Sequence, residues 1–170
     1  MYPNDGFCEL DRAECLRLLA TAPVGRVVYT RQALPAVVPV NFGLDRDGTV
    51  LLHTSAGSEL VRAIDGAVVA FEADAVDVAA RSGWSVVLTG QATVVTDRAD
   101  LERAERVAPG SWAPSPDDVL VRIDAELITG RRLIGGRTMY GLSLPGRRPP
   151  DTPFPSGAER PREEETGRRQ

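Results

Sequence analysis

The side chains best suited to chemistry lie in one short segment, His-Thr-Ser-Ala-Gly-Ser-Glu-Leu, at residues 53–60. An apolar, strand-like stretch precedes it and a helix-like spacing follows it. Hydroxyls and backbone N–H groups at such a junction form a seat for a phosphate group. Thr54, Ser55 and Ser58 are therefore candidate phosphate ligands, and Arg62 lies one turn further on, within reach of the same loop.

Glu59 opposes that interpretation because it is an anion where a phosphate loop would favour a cation. A carboxylate beside a phosphate in a partly buried site is repelled by about 1 kcal/mol or more. Ser58 and Glu59 also have a purely structural explanation. Serine is a good N-cap, and a glutamate in the first turn of a helix favours the helix dipole. From the residues alone, this structural explanation is the simpler one.

His53 is the single histidine of the chain. We expect a strand residue at the rim of the fold, hydrogen-bonded to backbone; a catalytic or ligand role is the alternative. Metal sites need several His, Cys or carboxylate ligands at suitable spacing, so no metal site is predicted. Cys8 and Cys15 are expected to be reduced thiols, and at least one of them should be buried on a helix face. Glu72 and Asp74 fall on one strand face and are expected to be solvent-exposed.

Charge and composition exclude several classes of function. The formal net charge is −4 and the pI is near 5.1, so the chain has no overall attraction for nucleic acid or an anionic membrane. All 20 basic residues are arginines, which excludes a lysine Schiff base. No apolar run reaches membrane-spanning length and residues 1–5 lack a signal-peptide pattern, so a cytoplasmic location is expected.

The hydrophobic pattern predicts many short strands and few helices. Asp47-Gly48 between two apolar runs indicates a hairpin, and Gly90 inside the longest β segment indicates a bend or bulge. From Pro145 onward the chain holds six of its 13 prolines, mixed with Arg and Glu, and is predicted to be a disordered tail. The sequence thus predicts a mainly β antiparallel barrel at 1–144 and a tail at 145–170. Helices are expected at 11–20, 58–64 and 98–107, and strands at 25–30, 35–44, 49–54, 67–73, 83–96, 119–124 and 126–129.

A series of short motifs adds a family resemblance. The motifs are Val24-Gly25-Arg26-Val27, Val38-Pro39-Val40-Asn41-Phe42, Leu52-His53-Thr54, Gly57-Ser58, Phe71-Glu72 and Gly83-Trp84-Ser85-Val86. In this order they resemble the pyridoxamine 5′-phosphate oxidase-like family of FMN-binding split β-barrel proteins, over roughly residues 9–133. The resemblance implies a six-stranded antiparallel split β-barrel that forms a homodimer, with two cofactor sites at the subunit interface.

The same resemblance implies which residues contact the cofactor, and it assigns no catalytic residue. The flavin ring would lie against the strand of Pro39, Val40 and Asn41, and the phosphate against the loop discussed above. Asn41 is expected either to face a polar edge of the flavin or to satisfy a bulge beside Pro39. Trp84 is either a wall of the cofactor slot or, as we favour, a core or interface aromatic. Glu59 departs from the family, which commonly has a lysine or arginine there. The implied set is Pro39, Val40, Asn41, Thr54, Ser55, Ser58, Glu59, Leu60, Arg62, Trp84 and Ser85.

The leading functional prediction is an FMN-dependent oxidoreductase acting on a small molecule. A non-catalytic carrier or sensor of flavin or haem is one alternative. A deazaflavin is another, with Arg26, Arg31 and Arg62 as candidate contacts for its acidic tail. A cofactor-free interaction barrel is the third, and Glu59 favours it. Oxidation of pyridoxamine 5′-phosphate itself is not expected, because a second phosphate usually calls for several cations.

Overall fold

The computed structural model describes residues 7–133, which form nine strands and three helices. The strands are β1 (Phe7–Leu10), β2 (Val24–Arg31), β3 (Leu34–Asn41), β4 (Gly43–Leu44), β5 (Val50–Ser55), β6 (Val68–Asp77), β7 (Ser82–Val94), β8 (Asp118–Ile123) and β9 (Leu127–Leu133). The helices are α1 (Arg12–Leu19), α2 (Glu59–Ile64) and α3 (Arg98–Ala104).

The long strand β7 joins two antiparallel sheets. The first sheet has the order β3-β2-β6-β7-β9-β1, and the second has the order β7-β8-β5-β4. β7 pairs with β6 as far as Gln91 and with β8 from Ala92 onward. Gly90 lies at this crossover, where an added Cβ would be 1.7 Å from the carbonyl oxygen of Asp124. The bend predicted at Gly90 is confirmed, and the close backbone approach explains why it is a glycine.

Both helices that flank the core begin with a side-chain cap. Asp11 accepts a hydrogen bond from the N–H of Glu14 at 2.8 Å, and Ser58 accepts one from the N–H of Val61 at 3.1 Å. These caps start α1 and α2 where the sequence predicts. α1, α2 and both sheets enclose one main core, which includes Cys15, Leu19, Val27, Leu52, Leu60, Ile64, Phe71, Val86, Leu88, Val121 and Ile123.

The mainly β, antiparallel architecture is confirmed, whereas the count of six strands is wrong for residues 7–133. β1 was not predicted because its only described partner is β9, more than 100 residues away in sequence. The first apolar run divides into β3 and the two-residue β4, and it is β4 that forms the predicted hairpin with β5. The proposed tail at 145–170 lies outside the described residues. No helix within 7–133 has the length and apolar character needed to cross a bilayer.

Glu14 ties α1 to β9 and gives the fold an acid-sensitive contact. Its carboxylate accepts two 2.8 Å hydrogen bonds from Arg17 and another from Arg132, and these lower its pKa from 4.5 to about 2. A carboxylate whose pKa is lower in the folded state than in the unfolded state stabilises the fold above its unfolded pKa, and this contribution is lost as the pH falls.

We expect Glu14→Gln to lower the urea midpoint of unfolding at pH 6 and to have little effect on it near pH 2. Urea unfolding across this range tests it, with the solvated Glu102→Gln as control. A loss that is the same at both pH values would contradict the prediction.

Candidate functional site

The side of the first sheet that faces away from the core, the outer face, is unusually apolar. Strand register places five large apolar side chains on it, each more than half exposed: Phe7, Val37, Val68, Val76 and Leu127. The water-facing side of an antiparallel sheet is normally polar. Exposed apolar side chains gathered on one face of a sheet are typical of an interaction or ligand-binding surface.

A small charged cluster lies within the outer face. One guanidinium nitrogen of Arg26 contacts Glu72 at 2.9 Å and Asp74 at 2.6 Å. The hydrogen bonds that the guanidinium donates to the two carboxylates raise the pKa of Arg26, and the one to Asp74 is the larger cause. Ser85 Oγ lies 3.5 Å from Glu72, and Pro39 is the cross-strand partner of Arg26. The two carboxylates are therefore half-buried members of an ion-pair cluster, which corrects the expectation that they are simply solvent-exposed.

A cleft of about 380 Å³ opens beside this cluster. Ser85 and Arg131 line the cleft from the outer face, whereas Trp84 alternates with Ser85 along β7, is half-buried and packs against the core. The cleft thus combines a hydroxyl with charged groups of both signs. Of the predicted cofactor contacts, the outer-face group comprises Pro39 and Ser85, and Trp84 is instead a core-packed aromatic.

The loop predicted to seat a phosphate already contacts a carboxylate of the same chain. Ser55 Oγ lies 3.1 Å from both carboxylate oxygens of Asp117, and the N–H of Gly57 donates to one of them at 3.4 Å. The Ser115 hydroxyl also bonds to Asp117. Hydrogen bonds from Ser115 and Ser55 lower the pKa of Asp117, so the carboxylate is held in its charged form.

The charged residues around this loop are paired as well. Glu59 forms an ion pair with Arg31, at the end of β2. Arg62 does reach back to the loop, where its guanidinium donates to the carbonyl oxygen of Gly57 at 2.7 Å. Leu60 is buried in the core, and Thr54 is half-buried on β5.

Asn41 and His53 hold a second segment, residues 109–117 between α3 and β8, which we call the strap. The buried amide of Asn41 donates to the carbonyl of Gly110 at 2.8 Å and accepts from the backbone N–H of Trp112 at 3.2 Å. His53 Nδ1 donates to the carbonyl of Pro109 at 3.1 Å. The expected backbone hydrogen bond of His53 is confirmed. Val40, the neighbour of Asn41, packs against the core.

The predicted contacts thus divide among three places: the outer face, the loop 54–58 with the strap beside it, and the core, which takes Val40, Leu60 and Trp84. Sequence reasoning missed Asp117, which lies in a Pro/Ser-rich stretch with no periodicity and meets Ser55 across 62 residues. It also missed the strap as the shared partner of Asn41 and His53. The one feature of the sequence that could have pointed to Asp117 is weak: two adjacent aspartates immediately before a predicted strand.

Comparison with known proteins identifies the family. The family model described as pyridoxamine 5′-phosphate oxidase matches residues 11–132. The chain belongs to the pyridoxamine 5′-phosphate oxidase family. Uncharacterized protein Rv0080 of Mycobacterium tuberculosis is 44% identical over 131 residues, which cover 74% of this chain and 85% of that protein.

Solved structures agree with this assignment. A structure of the FAD binding protein from Mycobacterium smegmatis is 38% identical, with a TM-score of 0.69, and the match covers 76% of this chain and all of that chain. A conserved protein of unknown function from Corynebacterium diphtheriae is 33% identical, with a TM-score of 0.65, and the match covers 76% of this chain and all of that one. The split-barrel class that the family implies is therefore confirmed.

The loop at 54–58 does not fit a flavin phosphate in this conformation. The Ser55 hydroxyl and the Gly57 N–H, which would bind a phosphate, already bind Asp117. The adjacent Asp118 adds a buried carboxylate oxygen with no hydrogen-bond partner in the described part of the chain. An anion entering the loop would meet the Asp117 carboxylate. The apolar outer face, in contrast, suits a flat aromatic ring.

Proposed function

We propose that this protein is a flavin-dependent oxidoreductase that binds FMN between two copies of the chain. The observation that carries the proposal is the 38% identity to an FAD binding protein whose whole length the chain covers. FMN is the flavin that the sequence resemblance implies. FAD contains the same ring, ribityl chain and first phosphate, and is therefore the second flavin to test.

The outer face supports the proposal through its chemistry. Exposed Pro39 and Val37 offer a flat apolar surface, and Ser85 and Arg26 supply polar groups beside it. Flavin sites combine apolar walls with a few placed polar groups. A bound flavin supplies the electron or hydride transfer, while residues of the chain bind it, orient it and keep water from it.

A homodimer is the second part of the proposal. The outer face exposes valines on both β3 and β6, Val37 being 56% and Val68 66% exposed. In a two-fold symmetric dimer the outer faces of the two copies would pack against each other, and each would cover the valines of the other. The apolar patch also adjoins Pro39 and Ser85, so the proposed interface and the proposed ring site are continuous.

The visible absorption spectrum of the purified protein, before and after addition of FMN or FAD, tests the proposal. We expect a protein-bound flavin band, and chromatography of the flavin released by heating will distinguish FMN from FAD. Protein that carries no flavin and takes up neither FMN nor FAD would contradict the proposal. A Soret band instead would indicate haem.

Turnover separates an enzyme from a carrier. The flavin-loaded protein should be reduced by a nicotinamide cofactor and reoxidised by an added electron acceptor over many cycles. Free flavin at the same concentration is the control for uncatalysed transfer. A protein that holds flavin tightly but turns over no faster than free flavin would be a carrier or sensor.

A further inference from the structure

The strap is fixed at both ends to the segments predicted to bind the cofactor. At its start, Pro109 and Gly110 accept hydrogen bonds from His53 and Asn41. At its end, the carbonyl oxygen of Asp117 accepts from the N–H of Ala56 at 2.9 Å. The strap therefore bridges the end of β3 and the loop that follows β5.

The Asp117 carboxylate is bound as a phosphate would be. Proteins bind phosphate oxygens with serine hydroxyls and backbone N–H groups. Here the Ser55 hydroxyl, the Gly57 N–H and the Ser115 hydroxyl all donate to this one carboxylate. The side chain is nevertheless on the surface, and Gly57, opposite it, is also exposed. No core packing holds this end of the strap in place.

We propose that Asp117 is an intramolecular placeholder: its carboxylate occupies the donors of loop 54–58 and is displaced when the flavin phosphate binds. This inference rests on the proposed flavin function. The inference explains why loop 54–58 has the hydrogen-bond donors of a phosphate site, although these donors already bind a carboxylate of the same chain. It also makes flavin affinity depend on a residue that need not touch the flavin in the bound state.

Asp117→Asn tests the inference, with FMN and its phosphate-free analogue riboflavin as probes. The variant removes the charge that competes with the phosphate and keeps the size of the side chain. Removing this competition should tighten FMN binding about tenfold and change riboflavin binding by less than about twofold. Glu102→Gln, an exposed carboxylate on α3, is the control for loss of one negative charge. Ser55→Ala should weaken FMN binding while leaving riboflavin binding unchanged.

Fluorescence titration of each variant with each probe gives separable outcomes. Tighter FMN binding in Asp117→Asn alone supports the placeholder. FMN binding by that variant when the wild type binds none would overturn it, because the carboxylate would then block the loop instead of being displaced. Equal FMN affinity in wild type and Asp117→Asn overturns the placeholder but leaves the proposed function standing. Weaker FMN binding in Asp117→Asn also overturns it, because the carboxylate would then be part of the binding site. Failure of every protein to bind any flavin overturns both proposals.

Discussion

A glutamate at position 37 is expected to convert the proposed homodimer into a monomer and to abolish flavin binding. Val37 lies on the outer face of β3, 56% exposed, with Val28 as its cross-strand partner. Burying an uncompensated polar group costs roughly 2–7 kcal/mol, and a two-fold axis brings two copies of the charge into one interface. We therefore expect the dimer dissociation constant to rise by about a hundredfold or more.

Analytical ultracentrifugation over a range of protein concentrations, together with the visible spectrum, measures both effects. Leu34→Glu is the matched control, because Leu34 is on the same strand, 68% exposed, and on the opposite face by register. Exposed substitutions of this kind usually change stability by less than about 0.5 kcal/mol, so both variants should fold. A Val37→Glu protein that stays dimeric, or a wild type that is monomeric at every concentration, would contradict the proposed interface.

The parts of the fold that could be predicted from the sequence are those set by local chemistry. The Asp47-Gly48 turn and the Asp11 and Ser58 caps each depend on residues close in sequence. This turn includes a residue with a positive φ, which glycine adopts without steric cost, and Gly48 has a φ of 86°. A cap needs an oxygen next to the first free N–H groups. Such requirements can be recognised from a few consecutive residues of the sequence.

The candidate site could be predicted less completely, because its arrangement depends on contacts between side chains that are far apart in sequence. From its sequence neighbours Asn41 is expected at a flavin edge or a bulge, but its amide holds the strap, about 70 residues away in sequence. Glu59 stands in the sequence as an anion without a partner, but Arg31 balances it from the end of another strand. Neither partnership leaves a periodic pattern in the sequence. The flavin contacts themselves stay predictions, and the placement of Asp117 shows why the loop alone could not settle them.

Removing the Phe71 side chain is expected to cost about 3–5 kcal/mol of unfolding free energy, the largest single loss in the core. Phe71 on β6 is fully buried and meets Phe42 edge to face, with ring centroids 4.6 Å apart. Its ring fills the space beside Gly25 on β2, where an added Cβ would lie 2.1 Å from the Phe71 Cζ. Gly25→Ala alone should therefore overpack the core and cost about 1–3 kcal/mol.

The two substitutions should compensate each other when combined. In Gly25→Ala/Phe71→Ala the new methyl group enters space that the ring has left, so the clash disappears and part of the cavity is filled. We expect the double variant to be about as stable as Phe71→Ala, a coupling of about 1–3 kcal/mol. Urea unfolding at one fixed protein concentration measures it, with Gly110→Ala, where no heavy atom lies within 4 Å, as the unstrained control. If Phe71→Ala does not fold, Phe71→Leu takes its place in this double-mutant cycle. Strictly additive losses would mean that β2 moves away from β6 instead of packing against the ring.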